Sequence, residues 1–234
     1  IADGANESER GFTLEGFGGW GARLARLREA ADFLRLNGAE DATPAYLQGD
    51  ASTRAYARLK QKGRRVVLMD APRQPDGPPV RGGLPYSQIA RLAENVRPFV
   101  AIGLWLRAQG VSAPEIVAHD LDRGFLLLED LGERVFGREI AADPARQREL
   151  WRAAVDVLLH LRRVEVPASL PLPDGTGHVL PSFDRAALEI ETELLLDWYW
   201  PAIKGAPPSA AIRAEFVALW SPVLDRLLSL PKGL

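Results

Sequence analysis

The clearest alternation of apolar and polar positions lies in residues 54–60. Ala55, Ala57 and Leu59 recur on one side, and Arg54, Tyr56, Arg58 and Lys60 on the other. Period two marks a half-buried strand. Gln61-Lys62-Gly63-Arg64 supplies a turn, with Gly63 able to take positive φ. The continuous run Val66-Val67-Leu68-Met69 then predicts a buried strand. Ahead of this hairpin, Gly49-Asp50-Ala51-Ser52 has the small and polar residues of a tight loop that a phosphate can approach. An ordinary Gly-Asp turn fits the same residues.

Elsewhere the period is mostly helical. Trp20, Leu24, Leu27, Ala31 and Leu34 form one stripe that predicts a helix over residues 20–36, and Asn37-Gly38 stops it. Residues 1–15 are polar and Gly-rich, with room for one short strand at 11–14. Residues 39–44 read as a linker, so a domain boundary is expected there. Residues 71–85 hold five prolines and three glycines. That excludes a helix or a central strand and predicts a mobile, partly extended loop. A helix over 86–109, broken near Pro98, carries Phe99, Ile102, Leu104, Trp105 and Leu106 on its apolar face, and Gly110 caps it. Residues 114–118 and 124–130 read as strands joined by Asp122-Arg123-Gly124.

Beyond Gly132 the pattern is helical. Asp143-Pro144 opens a helix whose Leu150, Trp151, Ala154, Val155, Leu158, Leu159 and Val164 keep helical spacing. Residues 166–181 form a Pro/Gly connector. Asp184 caps a helix to about Trp200, closed by Pro201. Pro207-Pro208-Ser209 opens the last helix, with Ile212, Phe216, Leu219, Trp220 and Val223 on one side and a kink at Pro222. The fold class is α+β: a small sheet-containing lobe at 45–131, a helical lobe at 132–234, and a helix and linker at 1–44.

Composition narrows the functional classes. The 234 residues are 47% hydrophobic and 26% charged, with a net charge of −2. No global basic field points to nucleic acid or an anionic membrane. The absence of cysteine excludes disulfides, thiolate metal sites and a cysteine nucleophile. No run approaches the ~18 apolar residues of a membrane span. The start, IADGANESERG, is not a signal peptide. A cytoplasmic location with no membrane partner is therefore expected. His119-Asp120 lacks the further ligands a metal site needs. Lys60, Lys62, Arg64 and Arg65 read as a solvated basic hairpin tip. Glu129 and Asp130, adjacent on a strand, point to opposite faces and do not form a glycosidase pair.

Several segments together resemble the N-lobe of the aminoglycoside phosphotransferase family, which has a protein-kinase-like fold: QGDASTRAYARL, VVLMDAP, the helix ending in GVSAPEIVAHD, and GFLLLEDLG. FDRAALEIETELLLDWYW resembles a helical segment of one bacterial branch, which includes kinases of cell-wall amino sugars such as N-acetylmuramate. In some bacteria a similar domain follows an ATPase subunit of the tRNA threonylcarbamoyladenosine machinery, and residues 1–36 resemble the tail of such an ATPase. The resemblance covers about residues 45–234. It implies an ATP- and Mg²⁺-dependent phosphotransferase acting on a small hydroxyl acceptor, a sugar or amino sugar.

Carried over by position, Gly49, Asp50, Ala51, Ser52, Thr53 and Arg54 would be the loop over the ATP phosphates. Glu129, Asp130 and Leu131 would be the hinge between lobes, meeting the adenine edge through backbone groups while the two carboxylates sit in a solvated turn. Met69 stands where the family has a phosphate-binding lysine, and the lysine's glutamate partner falls near Phe99. Arg54 or Arg58 would hold phosphate instead. Glu191, flanked by Leu188, Leu194, Leu195 and Trp198, would hold an acceptor hydroxyl or amine, or simply rim a core helix. Trp198, with Tyr199 and Trp200, would stack on a sugar face or pack.

The family's H-x-D-x-x-x-x-N loop does not occur at His119, His160 or His178. Leu234 falls about where that loop would begin, so a fragment without its own catalytic residues is expected, with Mg²⁺ ligands beyond the chain. The alternative is a non-catalytic kinase-like module that binds a nucleotide or a partner of a tRNA-modifying ATPase. Oligomeric state has no signature in the sequence.

Overall fold

The structure is a computed structural model that describes residues 14–40, 42–47 and 54–230. In chain order the elements begin with α1 (Leu14–Leu36), β1 (Ala45–Tyr46), β2 (Ala55–Gln61), β3 (Arg64–Asp70), β4 (Pro79–Arg81) and β5 (Leu84–Pro85). They continue with α2 (Tyr86–Ile89), α3 (Arg97–Ala108), β6 (Ile116–Asp120), β7 (Phe125–Glu129), α4 (Phe136–Ala142), a 3₁₀ turn (Pro144–Arg146) and α5 (Gln147–Leu161). Last come β8 (Leu170–Pro171), β9 (Gly177–His178), α6 (Arg185–Leu194), a π-helical turn (Leu195–Tyr199), α7 (Trp200–Lys204) and α8 (Ala210–Leu228). The fold is α+β, with a small antiparallel sheet, and the chain forms two compact units. One comprises the described residues up to Arg73 and Pro114–Gly132. The other comprises Gln74–Ala113 and the described residues from Glu133 onward.

The first unit holds a five-stranded antiparallel sheet in the order β1-β2-β3-β7-β6. Its alternation is as the sequence predicts: Ala57 and Leu59 of β2 are buried on one face with Val66, Leu68, Phe125 and Leu127. Against them pack Phe33, Leu34 and Ala39 from the end of α1 and the turn after it. The Phe33 and Phe125 rings stack at 5.5 Å. α1 thus shares the sheet's core, and the expected boundary near residue 44 separates no compact unit. The predicted helical stripe is also corrected. Leu24 and Leu27 are 52% and 55% exposed, and among the described residues the buried apolar positions of the helix are Phe33 and Leu34. Of the strand expected at 11–14, Leu14 is helical and the rest lies outside the described residues; the first described strand of the sheet is β1.

The β2–β3 turn uses positive φ at both central residues, 50° at Lys62 and 80° at Gly63, closing Gln61 on Arg64. That twist matches the flanking strands. At Gly124, φ is 75° and Ala71 N–H donates to its carbonyl at 2.9 Å. A Cβ there would stand 2.3 Å from the Ala71 oxygen.

In the second unit, residues 74–85 are not a loose loop. β4 and β5 pair, Asp76 accepts hydrogen bonds from Ser87 and Gln88, and Gln74 N–H donates to Glu94 O. The helix expected over 86–109 is two helices, separated where Arg91 takes φ 59°. Pro98 opens α3 in its first turn, where the missing N–H costs nothing. Val100, Ala101 and Trp105 are the buried positions of α3, and Leu104 is exposed. Asp184 caps α6 as predicted, accepting from Ala187 N–H, and Ser209, at the end of the segment expected to open the last helix, accepts from Ile212 N–H at the start of α8. Pro201 does not close its helix. Trp200 N–H reaches five residues back to Leu195 O, and this wider turn lets α7 run through Pro201 to Lys204.

α5 has the predicted apolar period, yet none of its residues is buried; Trp151, Val155, Leu158 and Leu159 are exposed. On α8, Leu219, Trp220 and Val223 are exposed while Leu224 is buried. Among the described residues no helix is long and apolar enough to cross a membrane.

Candidate functional site

The first unit carries the residues implied for nucleotide. Gly49, Asp50, Ala51, Ser52 and Thr53 lie outside the described residues. Arg54 is the residue immediately before β2. On the face opposite the α1 core, β2, β3 and β7 are aligned by their pairing. Tyr56 stands opposite Met69, and Met69 opposite Leu126; Arg58 stands opposite Val67, and Val67 opposite Leu128. Met69 is fully buried. A thioether in that position fills space and offers no charge to a phosphate.

Two rows further along the same face, the strand pairing ends in a polar cluster. Arg58 Nε lies 2.9 Å from Asp130 Oδ2, and its Nη2 donates to Gly132 O at 3.5 Å. The first contact brings the charges together without hydrogen-bond alignment, since neither atom has a directional partner. Arg65 Nε stands 3.7 Å from the same carboxylate oxygen. Asp130 Oδ1 accepts from Gly132 N–H at 2.9 Å, which closes a tight turn. The Asp130 side chain is only 2% exposed. It is therefore not the solvated turn residue expected from sequence, and Arg58 is engaged by this segment rather than held ready for phosphate. Glu129 also has work on the backbone: its Oε2 accepts from Glu115 N–H, and its own N–H donates to Glu115 O. Leu131 is exposed.

The basic hairpin tip is more structured than expected. Arg64 pairs with Glu115 at 2.8 Å, which raises the Arg64 pKa. Arg58, Lys60, Lys62 and Arg65 line an open concavity of about 660 Å³ together with Glu40 and Thr43. Asp120 beside His119 is turned inward to its own loop, accepting from Arg123 N–H and guanidinium. Burial pushes its carboxyl up, but these hydrogen bonds outweigh it and leave the pKa lowered. Among the described residues, no group of three His, Asp or Glu could hold a metal ion.

The second unit carries the residues implied for the acceptor. Glu191 on α6 is part-buried, and its Oε1 accepts a 2.7 Å hydrogen bond from the Tyr86 hydroxyl. Burial, then this bond to a carboxylate, pushes the Tyr86 phenol up to about 12. Its neighbours along the helix are also paired: Glu189 with Arg185, Glu193 with Arg81 at 2.6 Å and Arg213 at 3.3 Å, and Asp197 with Arg213 at 2.5 Å. Tyr86, Arg81 and Arg213 were invisible as partners in the sequence, because each lies far along the chain from the carboxylate it meets. Trp198 sits in the π-helical turn, 75% exposed, with Tyr199 also exposed. The packing role expected for this aromatic group does not apply to Trp198.

A family model described as "Phosphotransferase enzyme family" matches residues 43–233. A Caulobacter vibrioides protein named N-acetylmuramate/N-acetylglucosamine kinase is 38% identical over 211 residues, covering 86% of this chain and 57% of the relative. Proteins of the same name from Pseudomonas aeruginosa and Pseudomonas putida are 34% and 37% identical, covering 76% and 79% of the chain and 43% and 46% of those relatives. The chain therefore spans about half the length of the curated relatives it matches. The Caulobacter match takes in more of the chain than residues 43–233 comprise, so part of the segment before residue 43 is included.

Proposed function

The chain belongs to the phosphotransferase enzyme family, and from that premise we propose that it forms part of an ATP-dependent kinase of an N-acetylated amino sugar. The observation that carries the reading is the agreement of the relatives. The Caulobacter protein and both Pseudomonas proteins are named as kinases of N-acetylmuramate and N-acetylglucosamine, and each matches three quarters or more of this chain.

In this reading Gly49–Thr53 and Arg54 face the ATP phosphates. Backbone groups of Glu129–Leu131 meet the adenine edge. Glu129 N–H is committed to Glu115 and Gly132 N–H to Asp130; of the two residues between them, this reading gives the base to the Leu131 N–H. Met69 contributes an apolar wall, and the charge the family draws from a lysine comes here from Arg54. Glu191, already held by Tyr86, would accept from an acceptor hydroxyl, and the exposed Trp198 would lie against a sugar face. The described carboxylates do not group as a Mg²⁺ site, and in this reading the metal is held by residues outside the described ones. When bound, the ion would offset phosphate charge.

The test is ADP release by the full-length protein with MgATP, across N-acetylmuramate, N-acetylglucosamine, unacetylated sugars and aminoglycosides. Turnover with the N-acetylated sugars and not with the others is the expected result. A second reading, a non-catalytic nucleotide-binding module, is favoured by the buried Met69 at the lysine position. It would be established by ATP binding without turnover on any acceptor.

A further inference from the structure

The segment just after β7 is built in an unusual way for a stretch with an exposed apolar residue at its centre. Asp130 has its carboxylate buried, although it is followed by the exposed Leu131 and Gly132. A side chain from another strand stands against it. Arg58 on β2 stands opposite Val67, which stands opposite Leu128. To reach Asp130, two residues beyond Leu128, the Arg58 guanidinium must cross β3 diagonally by one row. Arg65, the β3 residue of that next row, adds its own charge at 3.7 Å. All three lie on the face that carries Met69. Arg58 is also only four residues after Arg54, in the strand that leads out of the 49–53 segment.

Such an arrangement couples two places that the nucleotide reading uses separately. A buried carboxylate in the turn that follows β7 is costly to leave without its cation. The backbone of 130–132 therefore holds its shape while Arg58 is in place. Arg58 fixes it twice, through Oδ2 of Asp130 and through Gly132 O. Within the turn, Oδ1 of Asp130 holds Gly132 N–H, which brackets Leu131 between two anchored residues.

We propose that Arg58 and Asp130 are a positioning pair that presets the Leu131 backbone for the base of a bound nucleotide. This rests on the nucleotide reading above. The pair acts on the base end and not on phosphate. Its loss therefore weakens adenosine, ADP and ATP by the same factor, whereas loss of Arg54 weakens only the phosphate-bearing ligands. A residue that merely holds the fold together would also weaken all three equally, but only in step with a fall in melting temperature, so the equal losses count for the pair only where melting temperature is unchanged.

The experiment measures binding of adenosine, ADP and ATP to the full-length protein by calorimetry, with melting temperature as the control on folding. The variants are Arg58→Met, Asp130→Asn, the double variant, and Arg58→Lys as the mild substitution. Expected are about tenfold losses for either single variant, equal across the three ligands. The double variant is expected to be no worse than Arg58→Met alone, because that substitution already removes the Arg58–Asp130 contact that Asp130→Asn weakens. Arg58→Lys is expected within about threefold of wild type. Wild-type affinity in both single variants, additive losses in the double, or losses confined to ATP and ADP would each overturn the pair's role while leaving the nucleotide reading intact. If the single variants fail to fold, Asp130→Glu decides the matter by the same comparison of ligands. Wild-type protein that binds none of the three ligands would overturn the nucleotide reading itself, and the pair's role with it.

Discussion

The guanidinium of Arg26 lies over the ring of Phe125, 3.7 Å from its centroid, while its Nε and Nη2 both reach Asp70 Oδ1. One side chain on α1 thus grips the start of β7 and the end of β3, the strands that pair through Asp70 and Phe125. The ion pair is about three quarters buried on both sides, so it is less screened than a surface pair. Arg26→Ala should destabilise the first unit by about 1–3 kcal/mol, from the lost cation–π contact and charged hydrogen bonds. Arg26→Lys should lose less, because it keeps the charge and forfeits the planar fork. Urea denaturation followed at β-sheet wavelengths reads the difference; equal stability of all three proteins would refute the anchor.

Gly124→Ala is expected to be among the worst small substitutions in the chain. The added carbon would meet the Ala71 carbonyl oxygen at 2.3 Å, and φ is already in the left-handed region. Backbone on both sides leaves nothing flexible to move, so a loss of about 3 kcal/mol or more is expected. Gly77→Ala, which meets nothing within 4 Å and has no positive φ, is the control and should lie near neutral. Soluble yield and denaturation midpoint together separate the two.

Met69 can be tested as a packing residue in its own right. Met69→Leu preserves apolar volume and should cost under about 1.5 kcal/mol. Met69→Lys would restore the residue type the family resemblance expects, but it places an ammonium at a fully buried position. A cost of several kcal/mol is expected, roughly 3–5, with the lysine's own pKa driven down. If Met69→Lys were as stable as wild type and bound ATP more tightly, the site would be built to take a cation and the packing account would be wrong.

The Tyr86–Glu191 contact makes a prediction about alkaline pH. The folded protein holds the phenol proton up to about pH 12, against an ordinary value of 10. A raised folded pKa contributes stability that is fully present below pH 10 and is lost as pH rises from 10 toward 12. Melting temperature should therefore fall more steeply across that window in wild type than in Tyr86→Phe. At neutral pH the same substitution removes one hydrogen bond to a carboxylate and should cost about 1.5–3 kcal/mol. Parallel pH profiles for the two proteins would show that the hydroxyl does not make this contact.

How far the sequence could be read depended on the range of the interaction. The β2–β3 hairpin was legible because its signal is local: period two at Ala57 and Leu59, and a turn whose backbone has few alternatives. The cap at Asp184 and the helix start at Ser209 were legible for the same reason, since each side chain reaches only three residues ahead. The carboxylate cluster on α6 was only half legible. The sequence placed Glu189, Glu191, Glu193 and Asp197 on one helix, but the identity of their partners was set by contacts spanning up to 112 residues.

The sequence by itself therefore determined which segments are strands and helices over most of the chain, the α+β order, and the segments on which the family resemblance rests. These follow from near-neighbour spacing, which is written along the chain. Only the tertiary structure decided that α1 belongs to the sheet's core, that Asp130 is buried under Arg58, and that Trp198 is exposed. It also decided that the apolar side of α5 lies uncovered among the described residues. Burial depends on what arrives from elsewhere in the chain, and periodicity can announce an apolar face without saying what covers it.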